Sequence, residues 1–296
     1  MKEFNFFTCD VFTDRMFGGN QLAVLTDASG LDDATMQAIA REFNLAETTF
    51  VTPPADARHT ARVRIFTPGR EMPFAGHPTI GTAFVLASTG ASEAGGDELV
   101  LEENVGLVPV HIDREGGRVV RCTFTAPRVP ECIEAEVPSR AALAELLGLA
   151  AGEIDAPAEV WSCGLPFFVV PVDSPRSLLR AQLDLACWRR LLSNFVALEV
   201  YPVTQIDEST VHVRMFAPAA GIAEDAATGS AAAALAGWLV RPAPDRSGTR
   251  CWTVLQGESV GRPSRIEVEA DVRDGAVQAV RVGGASVMVS EGVLKL

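Results

Sequence analysis

The feature that most limits how this chain can fold is an internal repeat, in which the second half restates the first at an offset of roughly 150 residues. Leu31 to Val51 (LDDATMQAIAREFNLAETTFV) lies over Leu183 to Val203 (LDLACWRRLLSNFVALEVYPV) without a gap, keeping Leu, Asp, Ala, Phe, Glu and Val at matched positions. Arg64-Ile65-Phe66-Thr67-Pro68 then matches Arg214-Met215-Phe216-Ala217-Pro218, and His77-Pro78-Thr79-Ile80-Gly81-Thr82-Ala83 matches Asp225-Ala226-Ala227-Thr228-Gly229-Ser230-Ala231. Each unit reads as a strand ending in Pro, a polar or glycine-containing loop, and a small-residue helix, Thr79 to Leu86 in one half and Thr228 to Val240 in the other. Helices this rich in Ala and poor in charge have no polar face to give to water, so each is expected inside its own sheet. Two such units facing each other would aim both loop-to-helix junctions at one cleft, and clefts between domains are common ligand sites.

The remaining local signals agree with an α/β (α+β) chain of two similar domains. Phe4 to Phe12 and Gln21 to Leu25 are strand-forming runs, and Met36, Ile39, Ala40 and Phe43 fall at helical spacing after the capping signal Leu31-Asp32-Asp33. Ala126 to Val137 reads as a crossover between the halves, and Val277 to Val282 with Val287 to Val289 as strands able to return to the first half. The expected division is a first domain of 1–118 plus 283–296 and a second of 119–282. A chain of 296 residues is long enough for two medium cores.

Composition removes several classes of function. A formal charge of −13 opposes binding to nucleic acid or to an acidic membrane surface. The longest apolar run, Ala231 to Val240, is about half a membrane span. Six cysteines without CxxC spacing, and a start lacking the basic flank of a secretion signal, point to reduced thiols and a cytoplasmic location. Thr228-Gly229-Ser230-Ala231-Ala232 lacks the second glycine of a hydrolase nucleophile elbow. His59, His77, His111 and His212 are far apart in sequence, and Phe17-Gly18-Gly19-Asn20 continues into neither common phosphate-binding signature. No metal, nucleotide or other cofactor is expected.

Three places carry candidate chemistry. Ala75-Gly76-His77-Pro78-Thr79 joins a glycine, an imidazole and a helix start, whose exposed N–H groups suit a carboxylate. Its twin, Glu224-Asp225-Ala226-Ala227-Thr228-Gly229-Ser230, offers an acid, two hydroxyls and a glycine, although Asp225 and Thr228 also suit plain helix caps. Glu47, in Asn44-Leu45-Ala46-Glu47-Thr48, follows the first helix beside a strand expected to be buried, where desolvation would suit it to giving and taking a proton. A solvated turn residue is the plainer alternative, and Glu199 holds the matching place in the repeat.

At these residues the sequence resembles the phenazine-biosynthesis F (PhzF-like) family of the diaminopimelate epimerase-like group. The resemblance rests on Phe12-Thr13-Asp14 with Phe17-Gly18-Gly19-Asn20, Asn44 to Thr48, Phe74-Ala75-Gly76-His77-Pro78-Thr79, Glu224 to Ser230, and Gln256-Gly257 with Gly261-Arg262-Pro263-Ser264. It implies two domains, each a mostly antiparallel sheet curled around a central helix, with the site between them and assembly as a homodimer. It also implies Glu47 as the acid/base, His77 and Asp225 as contacts to substrate polar groups, and Gly76, Gly229 and Ser230 as the hold on a substrate carboxylate. The phenazine-pathway member moves a hydrogen around the ring of a dihydro-hydroxyanthranilate without a cofactor.

This chain departs from the family pattern at Ala46, where Ser is common, and at Ala226 and Gln21, where Pro is common. Neither junction has the cysteine used by racemases of the wider group. The alternatives carried forward are a carboxylate-based racemase with Glu47 and Asp225 on opposite faces, and a ligand-binding protein without catalysis.

Overall fold

The computed structural model describes residues 2–91, 96–155, 157–241 and 247–296. Its contacts divide the chain into Met1–Pro127 with Arg281–Leu296, and Arg128–Val280. Unit one runs β1 (Glu3–Val11), β2 (Asn20–Leu25), α1 (Asp33–Phe43), β3 (Glu47–Thr52), β4 (Ala61–Phe66), β5 (Glu71–Met72), α2 (Gly76–Thr89), β6 (Glu98–Glu103), β7 (Gly106–Glu115) and β8 (Arg118–Thr125). Unit two begins β9 (Glu131–Ile133), α3 (Arg140–Leu147), β10 (Glu159–Ser162), β11 (Pro166–Pro171), α4 (Pro175–Arg180), α5 (Leu185–Leu192) and β12 (Val200–Gln205). It continues through β13 (Thr210–Val213), β14 (Met215–Ala217), β15 (Ile222–Asp225), α6 (Gly229–Val240), β16 (Gly248–Gln256) and β17 (Ser264–Arg273). Strands β18 (Ala276–Gly284) and β19 (Ser286–Lys295) lead back to unit one, where Arg281–Gly284 pair with β8 and β19 pairs with β1.

The repeat seen in sequence is a repeat of pairing. In unit one, β1–β2 is antiparallel, β2–β3 parallel, β3–β4 antiparallel, β4–β6 parallel and β6–β7 antiparallel. Unit two gives the same series with β10–β11, β11–β12, β12–β13, β13–β16 and β16–β17. Parallel neighbours need a long crossover, and each unit makes two, both helical. The first crossover in unit one, α1, covers Phe4, Leu25, Phe50 and Phe66. The second, α2, lies on the opposite face of the sheet, since Thr49, next to Phe50 on β3, bonds to Thr82 of α2 at 2.8 Å.

Helix α2 touches β1, β2, β3, β7, β8 and β19, so the sheet curls around it, as expected from its lack of a polar face. Helix α6 holds the same place in unit two, against β9, β10, β11 and β17. Strand β17 shows how one side of such a sheet is filled: Ser264, Ile266, Val268, Ala270 and Val272 are buried at every second residue. Both inner helices meet their sheets through a glycine. A Cβ at Gly81 would stand 2.6 Å from Leu22 Cδ2, and one at Gly237 would stand 2.2 Å from the Trp161 ring.

Helix α2 starts three residues earlier than the sequence suggested, taking in Gly76, His77 and Pro78. The first N–H groups of a helix have no intrahelical acceptor, so a proline within the first turn breaks nothing. The capping reading of α1 holds: Asp32 accepts from the Thr35 N–H at 2.8 Å, and Asn44 closes the helix in the left-handed region at φ 51°. Its twin Asp184 caps α5 through Cys187 N–H at 2.7 Å. No helix among the described residues is long and apolar enough to cross a membrane.

Candidate active site

Three elements of unit one start at the same edge of its sheet. Strand β3 opens with Glu47, which is in register with Leu22 of β2, two residues after that strand's first residue, Asn20. Helix α2 opens with Gly76 and His77. The result is a row of side chains: Asn20 Nδ2 lies 3.2 Å from His77 Nδ1, and His77 Nε2 lies 3.3 Å from Glu47 Oε2. Gly19 makes this possible, with φ +61° and its Cα so close to β1 that a Cβ would fall 2.2 Å from the Val11 carbonyl oxygen. A side chain there would force a shift of the Val11 backbone or of the turn that leads into Asn20.

Burial decides the charge of His77. The ring is 4% exposed, and desolvation drives its pKa down to about 3, opposed only by a hydrogen bond with the Gln21 backbone. It is therefore a neutral imidazole at ordinary pH. Its Nε2 faces Glu47 Oε2 at 3.3 Å, a contact of two buried atoms that lacks hydrogen-bond geometry between them. The Glu47 side chain keeps 13% of its exposure, while its Oε2 is itself buried against the ring.

In unit two the matching junction carries an acid in place of the imidazole. Asp225 Oδ2 accepts from Thr228 Oγ1 at 2.6 Å, and Thr228 Oγ1 in turn accepts from Gln256 Nε2 at 3.1 Å. Gln256 is fully buried, also donates to the Asp225 carbonyl at 2.9 Å, and accepts from the Thr228 N–H at 3.2 Å. Ser264 Oγ adds a bond to the Ala226 carbonyl at 2.9 Å. Thr228 sits in the N-cap position of α6 but makes no side-chain cap, because its hydroxyl is turned to Asp225. The capping reading of Asp225 and Thr228 is thus replaced by a relay that fixes the Asp225 carboxylate.

Neither inner helix is capped by a side chain, since Ala75 precedes α2 and Thr228 is occupied elsewhere. The first-turn N–H groups around Gly76 and His77, and around Gly229 and Ser230, face no side-chain acceptor at the cap. Asn20, Gln256 and Ser264 were visible in sequence only as parts of motifs and had no assigned role. For Asn20 and Gln256 the signal was the neighbouring glycine: Gly257, at φ +83°, has no room for a Cβ, which would come within 2.5 Å of the Ala226 carbonyl. Among the described residues no cluster of His, Cys, Asp and Glu has the arrangement of a metal site.

The model of the phenazine biosynthesis-like protein family (PhzC-PhzF) matches residues 9–292. An uncharacterized isomerase of Mesorhizobium japonicum is 42% identical, with 99% of each chain covered. The trans-2,3-dihydro-3-hydroxyanthranilate isomerase of Pseudomonas aeruginosa is 38% identical over 96% of each chain. Among solved structures, a Bacillus anthracis phenazine biosynthesis protein of the PhzF family superposes with a TM-score of 0.88 at 27% identity, covering 100% of both chains. A probable proline racemase from Agrobacterium radiobacter, 13% identical with a TM-score of 0.67 over 99% of this chain and 92% of its own, shares the fold. On these matches, and with the duplicated epimerase-like fold beneath them, the chain belongs to the phenazine biosynthesis-like family and is an isomerase.

Proposed function

We propose that the enzyme moves a proton within a small carboxylated substrate, with Glu47 as the single group that removes and returns it. The observation that carries this reading is the contact of Glu47 with a neutral, buried His77 where β3 and α2 of unit one both begin. As a carboxylate Glu47 takes a proton from one carbon, and as a carboxylic acid it delivers that proton to another. The imidazole beside it changes neither net charge nor position in the exchange.

Asp225 is assigned to substrate binding, because Thr228 and Gln256 hold its carboxylate by a relay suited to a fixed contact. Gly76, Gly229 and Ser230 are assigned to the substrate carboxylate, which uncapped helix starts favour. The identity shared with the Pseudomonas enzyme makes trans-2,3-dihydro-3-hydroxyanthranilate the first substrate to try. Assembly as a homodimer is proposed on the family resemblance and is read directly by light scattering.

Turnover of that compound by the wild type, with Asp225→Asn weakening both binding and turnover, would support the reading. Solvent deuterium appearing with inversion at a stereocentre would instead favour two-base racemisation.

A further inference from the structure

Glu103 is a buried acid of unit one that the proposed chemistry does not use. It ends β6, is 2% exposed, and touches the first turns of α2. Its Oε1 lies 2.7 Å from Thr79 Oγ1, and that hydroxyl oxygen lies 2.8 Å from the backbone carbonyl of Ala75. A hydroxyl has one hydrogen to donate, and a carbonyl only accepts. If Thr79 donates to Ala75, Glu103 is the donor in the other contact, and a carboxyl donates only when protonated.

The surroundings agree. Oε2 of Glu103 has no hydrogen-bond partner among the described residues, which a neutral acid tolerates better than a carboxylate. Arg62 of β4, the charged group facing Glu103, places Nη1 3.4 Å from its backbone carbonyl and Nη2 against Asn104, so neither bond reaches the carboxyl. Strand β7 pairs here through Gly106 and Leu107, which bring no charge, and neighbouring Glu102 bonds to His59. Burial pushes the Glu103 pKa up to about 8, against the opposing effects of Thr79 and Arg62.

We propose that Glu103 is a positioning residue which, as a protonated acid, holds the Ala75 carbonyl through Thr79, and whose ionisation loosens the turn carrying Gly76 and His77. On ionisation the Thr79 hydrogen must turn to the new carboxylate. Among the described residues, the Ala75 carbonyl then keeps the bond from the Thr79 N–H, at 3.2 Å. Activity falls at alkaline pH because the start of α2 is no longer held. The link to activity rests on the assignment of Glu47 and His77 above; the protonated Glu103 and its bond to Thr79 do not.

Infrared difference spectroscopy of the intact enzyme, wild type against Glu103→Gln, tests the bond directly. A protonated-carboxyl C=O band should be present near neutral pH, vanish as pH passes about 8, and be missing from the variant. Thr79→Val should shift that band upward by removing its acceptor, and Thr79→Ser should restore it. In kcat profiles Glu103→Gln, whose amide can donate to Thr79 at every pH, should keep kcat within about 3-fold near neutrality and move the alkaline limb up by at least about one pH unit. A spectrum in which wild type and Glu103→Gln coincide overturns the inference and leaves the Glu47 assignment standing. An alkaline limb unmoved in Glu103→Gln overturns the link to activity, whereas full activity in Glu47→Gln would overturn the assignment on which that link rests.

Discussion

Gln256→Leu removes the centre of the loop that carries Asp225 while keeping most of the volume. Three hydrogen bonds are lost: to the Thr228 N–H, to the Asp225 carbonyl and to Thr228 Oγ1. Gln256 itself is fully buried, but Asp225 and Thr228 are only half-buried, so water can satisfy part of what the glutamine leaves. At the low end of the usual cost, about 1 kcal/mol for each lost bond, the total is about 2–3 kcal/mol. For a unit of this size that corresponds to a fall in Tm of about 4–12 °C. Scanning calorimetry reads the stability, and steady-state kinetics should show KM raised by about 10-fold, near the loss of one oriented charged contact. Thr228→Val should cost less in the Gln256→Leu background than alone, because the two share one relay. A Tm within a degree of wild type, or fully additive losses, would refute the claim that this relay holds Asp225.

Other expectations follow from single contacts. Gly237→Ala should destabilise by about 1–3 kcal/mol in urea titrations, since the new Cβ meets a Trp161 ring fixed by its Nε1 bond to Glu159, and Trp161→Leu should relieve part of the loss. His77 has a depressed folded pKa of about 3 against an ordinary 6.5, so below 6.5 the unfolded chain binds a proton that the folded chain refuses. Stability from this group is therefore full above 6.5 and lost as pH falls toward 3, by about 1.4 kcal/mol per unit, and His77→Asn should flatten that slope in wild-type-minus-variant unfolding curves.

Much of the fold could be read from the repeat because the pattern of pairing, and not only the residues, is duplicated. The charge-poor helices α2 and α6 announced their place inside the sheets, and Asp32 and Asp184 marked equivalent helix starts. Helices α3 and α4 were not anticipated: at eight and six residues, each is too short for helical periodicity to stand out, and they are held by packing against Val160, Phe168 and Val200. Among the candidate residues, Glu47 and His77 do meet, and sequence could place each at the start of an element. The supporting side chains escaped notice because Asn20 and Gln256 act through register and long-range bonds, which leave no local pattern beyond a glycine alongside.

The central claim is that Glu47 carries the proton. Replacing it by Gln keeps the shape and the contact with His77 but offers no exchangeable acid. With a turned-over substrate in D₂O, Glu47→Gln should lower kcat for both isomerisation and deuterium exchange by about 10²- to 10⁴-fold, with a much smaller change in substrate affinity. Near-normal exchange in Glu47→Gln, with exchange abolished in Asp225→Asn, would contradict it and move the proton to the other acid.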